Sequence, residues 1–384
     1  MTRRRALALL ALALVLSMTT WFSATAVVPQ LRDEWNLSSS GAAWLTISVQ
    51  LGFVAGALLS SFGNVADVFA PRTVILVGAA GAAAANALVA ATSSAAQAAP
   101  LRALTGFCLA GVYPPALKLM ATWYRRGRGF ALGTLVGALT LGSALPHLVN
   151  GLGGLDWRLV VYATSALTLL GGLIAWALVP EGPHPFPRAP FDPQQLRLVL
   201  RNRGVRLASL GYFGHMWELY AMWTWLLIFF RDGHGGGAES AAYATFAAIG
   251  VGGIGCVVAG TIADRVDRPT VAALAMIASG ACALVIGLAV DAPTWVVLVL
   301  ALVWGFFVVA DSPIFSTLVT EHADQSYVGT ALAFQLAIGF ALTVVTIWLV
   351  PVLEDEVGWR WAFVLLVPGP VLGTVAMLRL ARGV

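Results

Sequence analysis

Long apolar runs, separated by short polar connections, recur along the whole chain of 384 residues. A membrane-spanning helix needs about 20 mostly apolar residues in succession. The runs are continuous rather than alternating, which excludes a transmembrane β-barrel. The pattern therefore predicts an all-α polytopic membrane protein with twelve spanning helices. They cover residues 6–28, 41–62, 73–93, 100–122, 129–150, 158–179, 206–230, 240–262, 270–290, 294–319, 328–350 and 360–379.

One connection is much longer than the others. Residues 180–206 are rich in Pro and then basic, and they separate six helices from six. We expect an N-terminal bundle at 1–179, a linker at 180–205 and a C-terminal bundle at 206–384.

The two halves also share short sequences in the same order. Asp67 corresponds to Asp264, RGFALG at 128–133 to VGTALA at 328–333, and DWR at 156–158 to GWR at 358–360. These matches predict a duplicated six-helix unit. Many secondary transporters have this architecture, with the substrate site between the repeats near the middle of the membrane.

Composition supports a membrane protein. The chain is 59% hydrophobic and 10% charged, whereas soluble domains carry about 25% charged residues. Its start, MTRRRALALLALALVLSMTTWFSATA, is similar to a secretory signal, but the apolar run reaches Val28, so we expect an uncleaved first helix. Cys108, Cys256 and Cys282 lie in apolar runs without CxxC spacing. We read them as buried small hydrophobes, and we expect no metal and no cofactor.

The basic residues predict the orientation. With the amino terminus in the cytoplasm, 16 arginines lie inside and 4 outside, as the positive-inside rule requires. The net charge of +4 thus reflects topology, and we expect no nucleic-acid partner. We expect a multi-pass monomer in the lipid bilayer of a plasma membrane, a bacterial inner membrane, with both termini cytoplasmic.

Two connections read almost alike, GNVADVFAPR at 63–72 and GTIADRVDRP at 260–269. We expect Gly63 and Gly260 to permit close helix packing. Asp67 and Asp264 precede a helix, where a carboxylate can accept backbone N–H bonds, and each Pro suits a first helical turn. An ordinary tight turn explains one such segment, but two copies at equivalent places favour a functional role.

These segments resemble the major facilitator superfamily, whose signature in this connection is roughly G-x-L-A-D-R-x-G-R-[RK]. LRALTG at 101–106 is similar to the family's R-x-x-x-G element, and the Gly- and Pro-containing fifth helix loosely resembles an antiporter element. The resemblance covers essentially the whole chain and implies two pseudo-symmetric six-helix bundles. It also implies that the Asp and basic residues of the two connections form a gate and that Arg102 takes part in proton coupling. The first copy keeps Gly63, Ala66 and Asp67, with Val68 and Ala70 where Arg and Gly are usual, and Arg72 is its basic residue. The second copy keeps Gly260, Ala263, Asp264, Arg265 and Arg268, with Asp267 where Gly is usual.

Ionisable side chains inside spans are costly and mark functional sites. Away from the span ends, every formally charged one here lies on predicted helix 4, 7 or 10, which line the central cavity in the resembled family. The candidates for proton coupling or the substrate cavity are Glu218, Asp311, Arg102, His215 and Lys118, with Tyr212, Trp217, Tyr220 and Trp21 as aromatic contacts.

Several of these candidates have a structural alternative. Glu218 could form a structural pair with a basic partner, and Arg102 and Lys118 could extend to the membrane surface. His147 is read as a packing residue. Asp311 precedes Ser312 and Pro313, and Pro313 is expected to kink its helix.

The sequence predicts a secondary active transporter that moves a small organic solute, anionic or zwitterionic, by alternating access coupled to protons. No GxxxxGK[ST] loop occurs, so the chain itself is not expected to use ATP. The alternative is a proton-driven drug or metabolite efflux antiporter. A channel or receptor has no need of duplicated gates, and a membrane-embedded enzyme would need a motif such as HExxH or GxSxG, neither of which occurs.

Overall fold

A computed structural model describes residues 1–63, 65–124, 127–153, 156–184, 192–324 and 326–383. In these residues the structure is helical and contains no strand, as predicted. The helices are α1, which begins with Arg3–Ser17, α2 Ser39–Phe62, α3 Pro71–Val89, α4 Ala95–Ala121, α5 Arg128–Gly151, α6 Trp157–Leu178, α7 Arg203–Ile228, α8 Ala238–Ala263, α9 Arg268–Ile286, α10 Thr294–His322, α11 Val328–Val357 and α12 Trp359–Ala381.

Ten of these helices are long and apolar enough to cross a membrane. The broken α1 and the long α7 complete a layout of two six-helix bundles. Because successive helices cross in opposite directions, both termini and the α2–α3 and α8–α9 connections lie at one end, called the terminal face below. The other end is the opposite face.

Three helices are interrupted near their middle. α1 continues as short segments at Met18–Thr20, Ser23–Ala26 and Val28–Trp35 rather than as one helix over 6–28. α10 breaks between Val308 and Ser312, just before Pro313, and α4 breaks before Pro114 and Pro115. A Pro has no backbone N–H to donate and its ring clashes with the preceding turn. This accounts for the breaks in α4 and α10 but not for that in α1.

The two similar connections differ in detail from their predicted roles. Pro71 and Pro269 do lie in the first turn of α3 and α9, which confirms that prediction. Gly63 ends α2, and among the described residues a side chain there would approach Leu59 and Val65 alone, each at 3.3 Å. The expectation that Gly63 permits packing against another helix therefore has no support in the described residues.

Glycines bring the two halves together along α5 and α8. A Cβ atom at Gly133 would lie 2.5 Å from the carbonyl oxygen of Cys256, and one at Gly137 would lie 2.6 Å from that of Gly253. Gly129 and Gly260 meet in the same way at the terminal face. Backbone against backbone is the closest packing that two helices can adopt, and it requires residues without a side chain. α2 and α11 form a second contact between the halves.

Candidate functional site

Asp264 links the two halves at the terminal face. Its carboxylate oxygens accept hydrogen bonds from the backbone N–H groups of Gly129, at 3.0 Å, and Phe130, at 3.1 Å. These N–H groups belong to the first turn of α5, where a negative charge also meets the positive end of the helix dipole. The sequence predicts that Asp264 caps the helix that follows it, and this is wrong, because Asp264 caps α5 of the other half. Asp267 caps α9 instead, through the N–H of Thr270 at 3.0 Å.

Arg268 extends this contact. Its guanidinium lies 3.8 Å from Asp264 and 2.9 Å from Glu321, at the end of α10. Arg265 and Arg72 are exposed nearby on the two connections. The side chain of Asp67 lies outside the described residues, so its predicted role stays a prediction.

His215 and Asp311 form a buried pair in the C-terminal half. The Nδ1 atom of His215 lies 2.8 Å from Oδ1 of Asp311, and the two side chains are 1% and 2% exposed. Neither atom has hydrogen-bonding geometry with any described group. Asp311 occupies the break in α10, where the helix has lost its regular hydrogen bonds.

Glu218 lies one turn beyond His215 on α7 and is also buried, at 2% exposure. Its carboxylate accepts hydrogen bonds from the Trp304 indole at 2.6 Å and from the Ser279 hydroxyl at 2.9 Å. Both donors are neutral, and no basic side chain forms an ion pair with Glu218 in the described residues. The structural alternative of a pair with a basic partner therefore has no support there.

Arg102 does not extend to the membrane surface, because its side chain is fully buried. It donates to the carbonyl oxygens of Thr20, at 2.8 Å, and of Trp21, and to the Asn86 side chain at 2.8 Å. It also donates to the Ser23 hydroxyl at 3.1 Å. These acceptors explain the break in α1: carbonyl groups released from the helix bond the guanidinium instead.

Aromatic rings fill the centre between the halves. Trp21 lies 4.9 Å from Phe53 and 5.9 Å from both Tyr220 and Phe340, measured between ring centroids. Phe22 stacks on Tyr220 at 6.2 Å. The cluster joins α1 and α2 to α7 and α11, so it closes the middle of the interface.

The remaining candidates are distributed differently. Tyr212 packs against His215 and Phe315 beside the buried pair. Trp217 faces α12, where its indole donates to the carbonyl oxygen of Leu365 at 2.9 Å, so it is not brought together with the central rings. Lys118 is half-buried on the second segment of α4.

A set of buried polar groups that the sequence does not point to has no hydrogen-bond partner in the part of the chain that the structure describes. It comprises both ring nitrogens of His147, the Ser143 hydroxyl, both polar atoms of the Gln50 amide and the indole N–H groups of Trp21 and Trp223. The residue types carry no signal for this, because whether a polar side chain finds a partner depends on its neighbours in space.

At the opposite face, Arg32 and Asp232 form an ion pair of 3.2 Å between α1 and the segment after α7. Beside it, the Arg158 guanidinium lies 2.6 Å from the Glu34 carboxylate and the Trp157 indole donates to Glu34 at 2.6 Å. These bonds, first that from Arg158 and then that from Trp157, lower the pKa of Glu34. No cluster of His, Cys, Asp and Glu suited to a metal occurs among the described residues.

Comparison with known proteins identifies relatives. A family model described as Major Facilitator Superfamily matches residues 10–342 and 254–383. A gallate transporter of Pseudomonas putida is 24% identical over 302 residues, which are 68% of this chain and 66% of that protein. The multidrug efflux pump LfrA of Mycolicibacterium smegmatis is 30% identical over 197 residues, which are 50% of this chain and 38% of that protein. The chain thus matches less than two thirds of the length of each relative.

Two solved structures share the fold. The human organic anion transporter MFSD10 superposes with a TM-score of 0.75 at 14% identity, over 98% of this chain and 99% of that one. The proton:xylose symporter XylE superposes with a TM-score of 0.77 at 15% identity, over 99% of this chain and 95% of that one. At such identity the likeness concerns the fold alone.

Proposed function

The chain belongs to the Major Facilitator Superfamily, and from that premise we propose that it is a proton-coupled secondary active transporter of a small organic solute. The bundles at 1–179 and 206–384, joined by the linker at 180–205, alternate between states open to either side of the membrane. We place the protein in a bacterial inner membrane, as a monomer with its termini in the cytoplasm.

The observation that carries the proton coupling is the buried contact between His215 and Asp311. The His215 Nδ1 and Asp311 Oδ1 atoms lie 2.8 Å apart, so a small reorientation of either side chain would align them to share a proton. Charged groups are strongly disfavoured in a dry interior, so loading or releasing a proton becomes linked to the state in which water reaches the pair. The break in α10 places this contact where the helix can change shape.

Glu218 is proposed as the second proton-binding group. Its two neutral donors can stabilise the carboxylate, while burial favours the protonated acid. Because His215 lies one turn away on the same helix, a proton has a short path between the two acids. The charge of α7 and α10 is then set by how many of these groups are protonated.

The solute is proposed to be anionic or zwitterionic. The sequence likeness to the gallate transporter, whose solute is an organic anion, supports this choice. Arg102 is not the group that binds the solute, because its hydrogen bonds already go to α1 and Asn86. The alternative, a proton-driven efflux antiporter, is supported by the likeness to the efflux pump LfrA.

The gate of this transporter is proposed to lie at the terminal face. Asp264 holds the first turn of α5, and Arg268 connects it to Glu321. The contact of Asp264 with α5 joins the halves, so it must break before the central site can open on that side, whereas the Arg268 contacts hold Asp264 in place within its own half. We propose the same role for Asp67 in the first copy.

Purified protein in liposomes with an imposed pH gradient tests this function. Radiolabelled solute movement is measured for the wild type, Asp311→Asn and Glu218→Gln. We expect both variants to lose gradient-driven accumulation while exchange of solute without a gradient persists. Glu356→Gln, an exposed acid at the opposite face, is the matched control and should behave as the wild type.

The same vesicles separate the two directions. Solute that moves with the protons indicates uptake by symport, and solute that moves against them indicates efflux by antiport. Unchanged gradient-driven transport in both Asp311→Asn and Glu218→Gln would overturn the proton assignment.

A further inference from the structure

We propose that Ser143 and His147 of α5, together with the indole N–H groups of Trp21 and Trp223, bind the solute, and that this solute is a planar aromatic carboxylate. The inference rests on the proposed transport function and names the site and the substrate class. His147, which the sequence suggests is a packing residue, becomes its central side chain.

His147 and Ser143 are buried polar groups whose hydrogen-bonding capacity is unused within the described residues. His147 is fully buried and Ser143 is 1% exposed, yet neither ring nitrogen of His147 nor the hydroxyl of Ser143 bonds to any described group. A buried polar group that is left without a partner destabilises the folded state. Two such groups four residues apart share one face of the helix. Such a face is expected where a ligand supplies the missing bonds.

The face of α5 that carries Ser143 and His147 points toward the interface between the halves. α5 contacts α8 through Gly133 and Gly137, and it contacts α1 through Gly142 and Asn150. With 3.6 residues per turn, Ser143 and His147 fall between these two contact faces. The side chains therefore face the interface between the halves rather than the lipid.

Contacts between α5 and α1 fix the level of His147 between the terminal face and the opposite face. α5 and α1 run in the same direction, with Gly142 beside Val15 and Met18 and the Asn150 amide donating to the carbonyl oxygen of Ala26 at 2.8 Å. His147 lies between these two levels and so stands at about the level of Phe22.

At that level the aromatic cluster begins. The ring of Phe22 lies 5.8 Å from Trp223 and stacks on Tyr220 at an interplanar angle of 10°. Trp21 stacks on Tyr220 from another direction, at 26°. Among the described residues the indole N–H groups of Trp21 and Trp223 have no acceptor. Flat apolar surfaces and unused donors thus occur at the level of His147.

These groups define the chemistry of the ligand. An indole N–H can only donate, and a hydroxyl and an imidazole can also donate, so the ligand must supply acceptors. A carboxylate accepts several such bonds, and its charge strengthens each of them. An aromatic ring suits the stacked side chains. None of the four residues carries negative charge, so an aromatic cation finds no counter-charge among them.

Equilibrium binding to the purified protein in detergent, without a gradient, tests the site. The probes are gallate, benzoate, cyclohexanecarboxylate, which has the same charge but no aromatic ring, and ethidium, an aromatic cation. We expect gallate and benzoate to bind at least about tenfold more tightly than the other two, which corresponds to about 1.4 kcal/mol.

Variants locate the binding. His147→Ala and Ser143→Ala should each weaken gallate binding about tenfold, whereas His147→Gln, which keeps a donor, should recover part of the loss. His184→Ala, in the segment after α6, is the control and should bind as the wild type. Thermal unfolding of each variant establishes that it is folded before binding is measured.

Several results would overturn the proposal: equal affinity for benzoate and cyclohexanecarboxylate, preference for ethidium, no binding of any aromatic acid, or full gallate affinity in His147→Ala. Failure of the transport function is recognised separately. In that case gallate binds with the expected pattern, but a pH gradient drives no movement of it in liposomes.

Discussion

The carboxylate of Asp264, which follows α8, caps the first turn of α5 in the other half through the N–H of Gly129 at 3.0 Å. Removing a helix cap costs about 1 kcal/mol, and this cap also joins the halves. Asp264→Ala should therefore shift the protein toward the state open at the terminal face.

The rate at which the Cys256 thiol is labelled measures that shift. It lies one turn before Gly260, buried beside α5 with its thiol directed at the carbonyl oxygen of Val309. In protein with Cys108 and Cys282 replaced by Ala, Asp264→Ala should raise the rate of maleimide labelling about fivefold. Asp267→Ala removes a cap within one half and is the control. Equal labelling of the two variants would mean that Asp264 does not hold the interface.

The glycine contact between α5 and α8 should not tolerate a methyl group. A Cβ at Gly133 would lie 2.5 Å from the Cys256 carbonyl oxygen, whereas one at Gly250 would meet its nearest atom, on Leu141, at 3.7 Å. Overpacking costs about 1–3 kcal/mol, so Gly133→Ala should lower the midpoint of thermal unfolding. Gly250→Ala, on the same helix pair, should leave it unchanged. Similar midpoints for both variants would contradict this packing.

Arg102 is expected to stabilise α1 rather than contact the solute. Arg102→Ala removes hydrogen bonds to Thr20, Trp21 and Asn86. Hydrogen bonds to a charged group contribute about 1.5–3 kcal/mol each, so the loss of stability should exceed about 3 kcal/mol. Denaturation in detergent measures it, with the exposed Arg72→Ala as control. A normal unfolding midpoint with weakened solute binding would reverse this assignment.

The ion pair of Arg32 and Asp232 should stabilise closure at the opposite face. The side chains are 23% and 41% exposed, so the pair contributes about 1 kcal/mol or less, and less at high salt. Arg32→Asp should increase the labelling of a cysteine placed at Gln30 by a reagent added at the opposite face. Adding Asp232→Arg should restore the wild-type rate. If the double variant labels as fast as the single one, the pair does not close this face.

Glu34 should make stability depend on pH in the acid range. Its pKa is lowered from 4.5 by its bonds to Arg158 and Trp157. The carboxylate therefore stabilises the folded state fully above about pH 4.5, and this contribution disappears as the pH falls through the lower folded pKa. The free energies of unfolding of the wild type and of Glu34→Gln should differ near neutral pH and become equal in acid. In an Arg158→Ala background the pH dependence of that difference should shrink, and its persistence would exclude Arg158 as the cause.

The membrane spans and the family could be predicted from the sequence because they depend on local quantities. An apolar run of a given length fixes a span, and Pro71 and Pro269 mark helix starts by their own covalent geometry. The duplicated Asp residues were found by order and spacing alone.

The details of the site depend on which face of each helix meets which neighbour. Glu218 and His215 share a face of α7 but contact different segments of α10, at Trp304 and Asp311. Trp217, between them in sequence, faces α12. A rotation of α7 by one residue position would give these side chains different partners. The angle at which the helices cross sets that rotation, and it depends on the whole fold rather than on the local sequence.

The glycine contact between α5 and α8 has a mechanical consequence. Where two backbones touch without side chains between them, no knobs interlock, and one helix can slide along or roll on the other with few changes of rotamer. The contact extends from Gly129 and Gly260 at one end to Gly151, beside Ala242 and Tyr243, at the other. This pair of helices can therefore act as a pivot, because the bundles can tilt about it while α5 and α8 remain in contact.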